Sequence, residues 1–161
     1  MSMISARTAQ AGLAARIFNS LKENVDSALA GKVLTEAIQA DAMAAGQAFA
    51  RKAPGGPNLK HFATVLERWQ EDNALVIEDV KLSGDTLDFV VKGCAYARVY
   101  AEMNLEPKLG FLLSCARDEP FAKGYSPCLH MHRSQTIMQG NSCCRFTFTW
   151  RNDETVHKIA T

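Results

Sequence analysis

Between Thr86 and Met103 the hydrophobic period of the chain changes from two to nearly four, and no other feature constrains the fold as much. Leu87, Phe89 and Val91 alternate with Thr86, Asp88 and Lys92, the pattern of a strand with one apolar face. Gly93 breaks that pattern, after which Tyr96, Val99, Tyr100 and Met103 recur at i, i+3, i+4 and i+7, the stripe of a helix. Cys94 falls at the junction, in the first turn of the new helix.

Similar periodicities on either side extend this into an α+β reading. Upstream, Leu13, Ile17, Leu21, Val25 and Leu29 repeat every four residues, and Leu34, Ile38, Ala45 and Phe49 continue helical spacing beyond Gly31, so two amphipathic helices are expected. The prolines and glycines of "KAPGGPN", residues 52–58, stop the helix, and Asn58 can cap a third carrying Phe62, Val65, Leu66 and Trp69 on one face. Leu75 to Leu82 reads as a strand, joined through "SGD" to the alternating strand in a hairpin. Pro107 is placed to open a further helix with the stripe Leu109, Leu112, Leu113 and Ala116, which should stop before Pro120. Gly124 and Pro127 mark a loop, and two strands follow, 129–138 and 142–151, the second with Cys144, Phe146, Phe148 and Trp150 on one face. The expected architecture is one domain over 1–161, with a helical front (1–73) and an α+β rear (74–155). N-terminal helices pack on one face of an antiparallel sheet of about four strands, and two helices are inserted between the strand pairs.

Charge and cysteine usage narrow the function classes. Eighteen Lys+Arg against seventeen Asp+Glu leave a net charge of +1, so nothing draws the chain electrostatically to nucleic acid or an anionic membrane, and a small-molecule partner is expected. No apolar run approaches the roughly 20 residues of a membrane-spanning helix. Met1 to Gln10 is polar, carries Arg7 and does not look like a signal peptide; with five cysteines, an odd number, this points to reduced thiols in a cytoplasm. Association into a homo-oligomer is left open.

Four short pieces of the rear half occur in a telling order: "CAY" at residue 94, "LLSCARDEPFAKGYSP" from residue 112, "RSQTIMQG" from residue 133, and "CRF" at residue 144. Together they resemble the L-2-amino-thiazoline-4-carboxylic acid hydrolase family. The resemblance covers about a third of the chain, Cys94 to Phe146, and leaves the front half as scaffold. It implies hydrolytic opening of a cyclic amidine or isothiourea ring to an N-carbamoyl amino acid. That chemistry asks for a nucleophile or activated water at the amidine carbon, an acid–base group, and a cation for the substrate carboxylate.

Candidates exist for each role. Cys94, at a helix start where free N–H groups favour a thiolate, is the first choice for nucleophile; otherwise it is a small apolar filler. Cys115 and Asp118, three apart, would share a face of a continuous helix with Cβ atoms roughly 5–6 Å apart, although Asp118 can instead cap the turn that starts at Glu119. Cys144 reads as a core thiol that the resemblance raises to a site residue. Convergence of Cys94, Cys115, Cys144 and Asp118 would also suit a metal, and Cys128, His130 and His132 fall on one strand face, yet neither set has the spacing of a recognisable metal motif. Metal and cofactor therefore stay unassigned. Arg133 can clamp a carboxylate or be an ordinary strand arginine, Tyr96 can donate a phenol or pack in a helix core, and Thr136 can add a hydrogen bond; Gln135 would point to the opposite strand face. His61 and His157 have no visible partner. A non-catalytic domain that binds a small ligand or metal through the same cysteines, and an interaction module with cysteines merely in its core, are the alternatives.

Overall fold

The alternating segments pair into one antiparallel sheet in the computed structural model, which describes residues 3–152. The strands are β1 (Leu75–Ser83), β2 (Thr86–Cys94), β3 (Leu129–Arg133) and β4 (Cys144–Trp150), in the order β1-β2-β4-β3. Gly84 and Asp85 make the tight β1–β2 connection, with Gly84 at φ +54°, a left-handed conformation glycine adopts without steric cost. The register places Leu87 opposite Phe148, Phe89 opposite Phe146 and Val91 opposite Cys144. Across β4, Met131 pairs with Phe148 and Arg133 with Phe146. One face is thus largely apolar, with Arg133 at the end of β3, and Phe89 stacks on Phe146 with ring centroids 4.8 Å apart.

Helices cover that face only. They are α1 (Met3–Asn24), α2 (Ser27–Ala50), α3 (Leu59–Ala63), α4 (Val65–Gln70), α5 (Ala95–Glu102), α6 (Pro107–Leu113) and α7 (Asp118–Tyr125). Phe49, Phe62, Val65, Leu66, Ala122 and Tyr125 from α2, α3, α4 and α7 form one core with Leu87, Phe89, Phe146 and Phe148 of the sheet. Asn58 caps α3 as expected, its Oδ1 accepting the His61 N–H at 2.9 Å. A second core joins Ala11, Leu34, Tyr100, Leu113 and Met138, and the Tyr96–Met103 stripe of α5 packs there. The opposite sheet face carries His130 and His132, both exposed, and a Thr147 hydroxyl that donates to Asp88 at 2.6 Å.

Three expectations are corrected. The first two helices part at Val25–Asp26, not at Gly31; the Asp26 carboxylate caps α2 by accepting the Leu29 N–H, and Gly31 lies inside that helix. On α1 the residues that face the protein are Ala11 and Ala15, while Leu13 and Ile17 are 61% and 49% exposed. Residues two apart lie about 200° round a helix, and the alanine side allows the closer approach. Second, α6 stops at Leu113, Ser114 breaks it, Cys115–Arg117 form a 3-10 turn, and α7 begins at Asp118 with Pro120 inside. The first N–H groups of a helix have no partner in the helix, so a proline there costs no hydrogen bond. Gly124 is consequently helical rather than part of a loop, and a Cβ on it would collide with the Met43 backbone of α2, just as one on Gly46 would collide with Phe121 and Tyr125. Third, the strand expected over 129–138 ends at Arg133, and Ile137–Gln139 is a 3-10 turn.

Candidate active site

The strand-to-helix junction builds the floor of a cavity. Cys94 ends β2 and caps α5: its Sγ accepts the Ala97 N–H at 3.4 Å, and the next residue is tied down where the Ala95 N–H donates to the Ala74 carbonyl at 2.8 Å. Cys144, two residues before Phe146 on the inner face of β4, accepts the Ile137 N–H on its Sγ at 3.2 Å. The broken segment 114–118 makes the facing wall. By ending α6 and restarting as α7, it turns both Cys115 and Asp118 into the same space.

Six of the seven residues singled out from sequence therefore meet. Cys94, Tyr96, Cys115, Asp118, Arg133 and Cys144 line one cavity of about 210 Å³. That lies below the roughly 300–1,000 Å³ of pockets for drug-sized ligands, so it suits one small ring rather than a polymer. Thr136 is elsewhere. It is buried and its hydroxyl is used within its own turn, donating to the Gln139 side chain at 2.8 Å and accepting the Gln139 N–H at 3.2 Å. Gln135 holds Cys143, donating to its carbonyl at 3.1 Å.

Charge in the cavity is organised by two arginine–carboxylate pairs. Arg133 Nη1 donates to Asp118 Oδ2 and to the Cys115 carbonyl, the latter at 3.0 Å, and its guanidinium lies between the Phe111 and Phe146 rings at 5.3 and 5.4 Å. One nitrogen of the guanidinium thus orients the 115–118 turn. The Asp118 carboxylate goes to Arg133 and makes no helix cap, and it sits in the first turn of α7, where the dipole favours negative charge, rather than in a last turn where it would not. Arg117 Nη2 donates to Asp41 Oδ2 of α2, and Arg7 Nη1 of α1 lies 3.8 Å from the same oxygen. Arg7, Arg68 and Arg117 join Arg133 in the lining. Arg7, Arg68 and Arg117, with Asp41 and Tyr100, are what sequence alone did not reveal. Arg117 stood in plain sight beside Asp118 in the motif, but no local pattern couples positions 7, 41 and 117, which three separate elements bring together.

Burial decides the protonation states. It pushes the Cys94 thiol up despite the Ala97 N–H, the Cys115 thiol up to about 12 with help from Asp118, and Cys144 up as well. The thiolate expected at the start of α5 is therefore not the resting form, because desolvation outweighs the helix-start donors. Asp118 is pushed up to about 6, burial prevailing over the opposing pull of Arg133 and Arg117. It is the group in the cavity poised to take and return a proton near neutrality.

Among the described residues no cluster of three or more His, Cys, Asp or Glu side chains is arranged to hold an ion. His61 lies outside the cavity lining, its Nδ1 3.0 Å from the Tyr125 hydroxyl, and His157 falls outside the described residues.

Fold and site together define an α+β domain with a small, arginine-rich cavity walled by thiols and one perturbed carboxylate. The chain belongs to the L-2-amino-thiazoline-4-carboxylic acid hydrolase family, whose sequence model matches residues 6–148. The match begins within α1, so the front helices that carried no motif are part of the family domain, as expected of its scaffold. No curated protein matches the chain. Among the described residues, no helix is long and apolar enough to cross a membrane.

Proposed function

We propose that the cavity hydrolyses a small cyclic isothiourea bearing a carboxylate, such as 2-amino-thiazoline-4-carboxylate, with Asp118 as general base and acid. The convergence of Cys94, Cys115, Asp118, Arg133 and Cys144 on one small space carries this reading. Water adds through oxygen to the ring carbon between nitrogen and sulfur, and Asp118 accepts one of its protons. The C–S bond then breaks, the sulfur receives a proton from Asp118, and the second water proton ends on the ring nitrogen. The product is an N-carbamoyl amino acid with a free thiol, so substrate plus one water balances. Arg133 holds the Asp118 carboxylate in place, and Tyr96 lies along the cavity wall beside the ring.

Cys94 as a covalent nucleophile is the second reading, favoured by the backbone N–H on its sulfur. It requires the thiol proton to pass to Asp118 first, since burial keeps the thiol protonated at rest.

Ring opening releases a thiol and is followed directly with a thiol reagent and by mass. Asp118→Asn is expected to lower kcat by about 10²–10⁴-fold, the range for loss of a general acid–base group. Activity within tenfold of wild type would remove Asp118 from the role. Cys94→Ser separates the two readings: near-wild-type turnover supports activated water, and loss of turnover with the substrate still bound supports the covalent route. A wild-type protein that opens no thiazoline, yet binds one, would favour the non-catalytic binding domain.

A further inference from the structure

Two of the cavity's arginines are neutralised by partners of their own. Arg133 belongs to Asp118 and Arg117 to Asp41, each through a direct hydrogen bond. Arg7 is different. Its side chain is 28% exposed, it reaches Asp41 only at 3.8 Å, on an oxygen already taken by Arg117, and its Nη1 donates to the neutral Gln10 side chain at 3.1 Å. One carboxylate is thus shared by two guanidiniums at the α1 side of the cavity. Burial and the neighbouring Arg117 both work against the Arg7 charge, as expected for a cation not fully compensated. Arg68, the remaining arginine of the lining, is exposed.

From this juxtaposition we infer that Arg7, oriented by the Asp41–Arg117 pair, is the specificity-determining clamp for the single carboxylate of the substrate, and that Arg133 is not. The inference rests on the proposed reaction for the identity of the ring, but the clamp itself is a binding statement. A monocarboxylate entering beside Arg7 supplies the missing negative charge and accepts from a planar fork suited to carboxylate geometry. Asp41 is a positioning residue. Bound between two cations, its carboxyl is held below the usual range, first by the Arg117 hydrogen bond, so it stays ionised while Asp118 titrates. The arrangement also gives α1 a role at the site: it brings the Arg7 charge into the cavity that Asp118 lines.

The test pairs turnover with direct binding. For Arg7→Gln, KM for 2-amino-thiazoline-4-carboxylate is expected to rise about 10–100-fold, the equivalent of a lost hydrogen bond to a charged group. The fall in kcat/KM on the acid should exceed the fall on its uncharged methyl ester at least tenfold. Equal losses on acid and ester, or no loss on the acid, overturn the clamp. Calorimetry with thiazolidine-4-carboxylate, a saturated ring that cannot be opened in this way, separates clamp from chemistry. If the wild type binds it without opening any thiazoline, and Arg7→Gln abolishes the binding, the clamp stands and the proposed reaction fails. If thiazoline opening is normal in Arg7→Gln, the reaction stands and the clamp fails, and a wild type that does neither overturns both. Should Arg7→Gln not fold, Arg7→Lys decides. It keeps the charge without the fork, and its KM on the acid should rise while the ester is affected less; an unchanged KM overturns the clamp.

Discussion

The sheet and the two long front helices of this molecule bury themselves by different means. In the sheet, large side chains on alternating positions do the work: Phe89, Phe146 and Phe148 are at most 8% exposed, and each strand residue on the inner face has a partner across the register. Where α1 and α2 pack on their neighbours, much of the contact is instead made through small residues. Ala11, Ala15, Ala30 and Ala42 are the buried positions that let helix backbones approach, and Gly46 and Gly124 let α2 and α7 cross with nothing between them. A sheet face built of aromatics has a hydrophobic signature that the sequence displays. A helix face built of alanine has none, and on α1 the Leu13 and Ile17 that look like its core point to solvent.

The largest expected effects fall where each mode is most concentrated. Phe148→Ala empties a fully buried site between the sheet and Phe62, whose ring centroid is 4.8 Å away, and should cost about 3–5 kcal/mol in denaturant unfolding. The counterpart, where α7 crosses α2, is an addition rather than a deletion. Gly124→Ala drives a methyl group into the Met43 backbone, which cannot move aside like a flexible side chain, and should cost about 3 kcal/mol. If Gly124→Ala unfolds at the wild-type denaturant midpoint, the close crossing of α2 and α7 is wrong, and with it the contrast between the two modes of packing.

That contrast also explains what was legible in the sequence. The hairpin, the strand-to-helix junction at Cys94 and the one-faced β4 were readable because period and burial coincide there. The α1–α2 boundary was misplaced because Gly31 is a weaker helix break than an unremarkable Val25–Asp26 step with a capping carboxylate. At the candidate site, the motif residues were readable one by one. Their partners were not, because the groups that Arg133 touches depend on where residues 114–118 break the helix, and Pro120 looked like an end when it sits near a beginning. The Arg7–Asp41–Arg117 group was invisible, since charge shared across three elements leaves no local pattern.

An intermediate effect sharpens the comparison through pH. The two carboxylates of the cavity region are shifted in opposite directions: Asp118 of the rear wall is raised by burial to about 6, and Asp41 of the front is lowered, mainly by the Arg117 hydrogen bond. For Asp118 the folded value lies above the unfolded value of about 3.9, so the proton favours the fold. Its contribution to stability is fully present below about pH 4 and is lost as the pH rises through about 6. The base form needed for hydrolysis appears over the same interval, so kcat/KM should rise about tenfold per unit below pH 6 and level above it. Asp41 has the reverse sign: its contribution is present above the unfolded value and is lost as the pH falls through its lower folded one. Unfolding curves of the wild type, Asp118→Asn and Asp41→Asn between pH 3 and 8 measure both slopes. Parallel wild-type and Asp118→Asn stability profiles between pH 4 and 6 would remove Asp118 as a titrating group.

The smallest expected effect is the most direct check on the front half. Leu13 and Ile17 form the most conspicuous apolar stripe of α1, yet they are 61% and 49% exposed, so replacing both with glutamine removes little buried surface. Glutamine is a comparable helix former to leucine and a somewhat better one than isoleucine, so the helix itself loses nothing. The double variant should unfold within about 0.5 kcal/mol of wild type, the range of surface substitutions. Ala11→Leu, two positions away but on the opposite side of the helix at 2% exposure, should cost about 1–3 kcal/mol by overpacking against the Tyr100 and Leu34 core. A conservative-looking change to a larger apolar residue would thus hurt more than two polar substitutions in the apparent hydrophobic stripe. If the order reverses, α1 is rotated by about half a turn from the arrangement described here, and Arg7, four residues before Ala11 on the same face, no longer reaches the cavity.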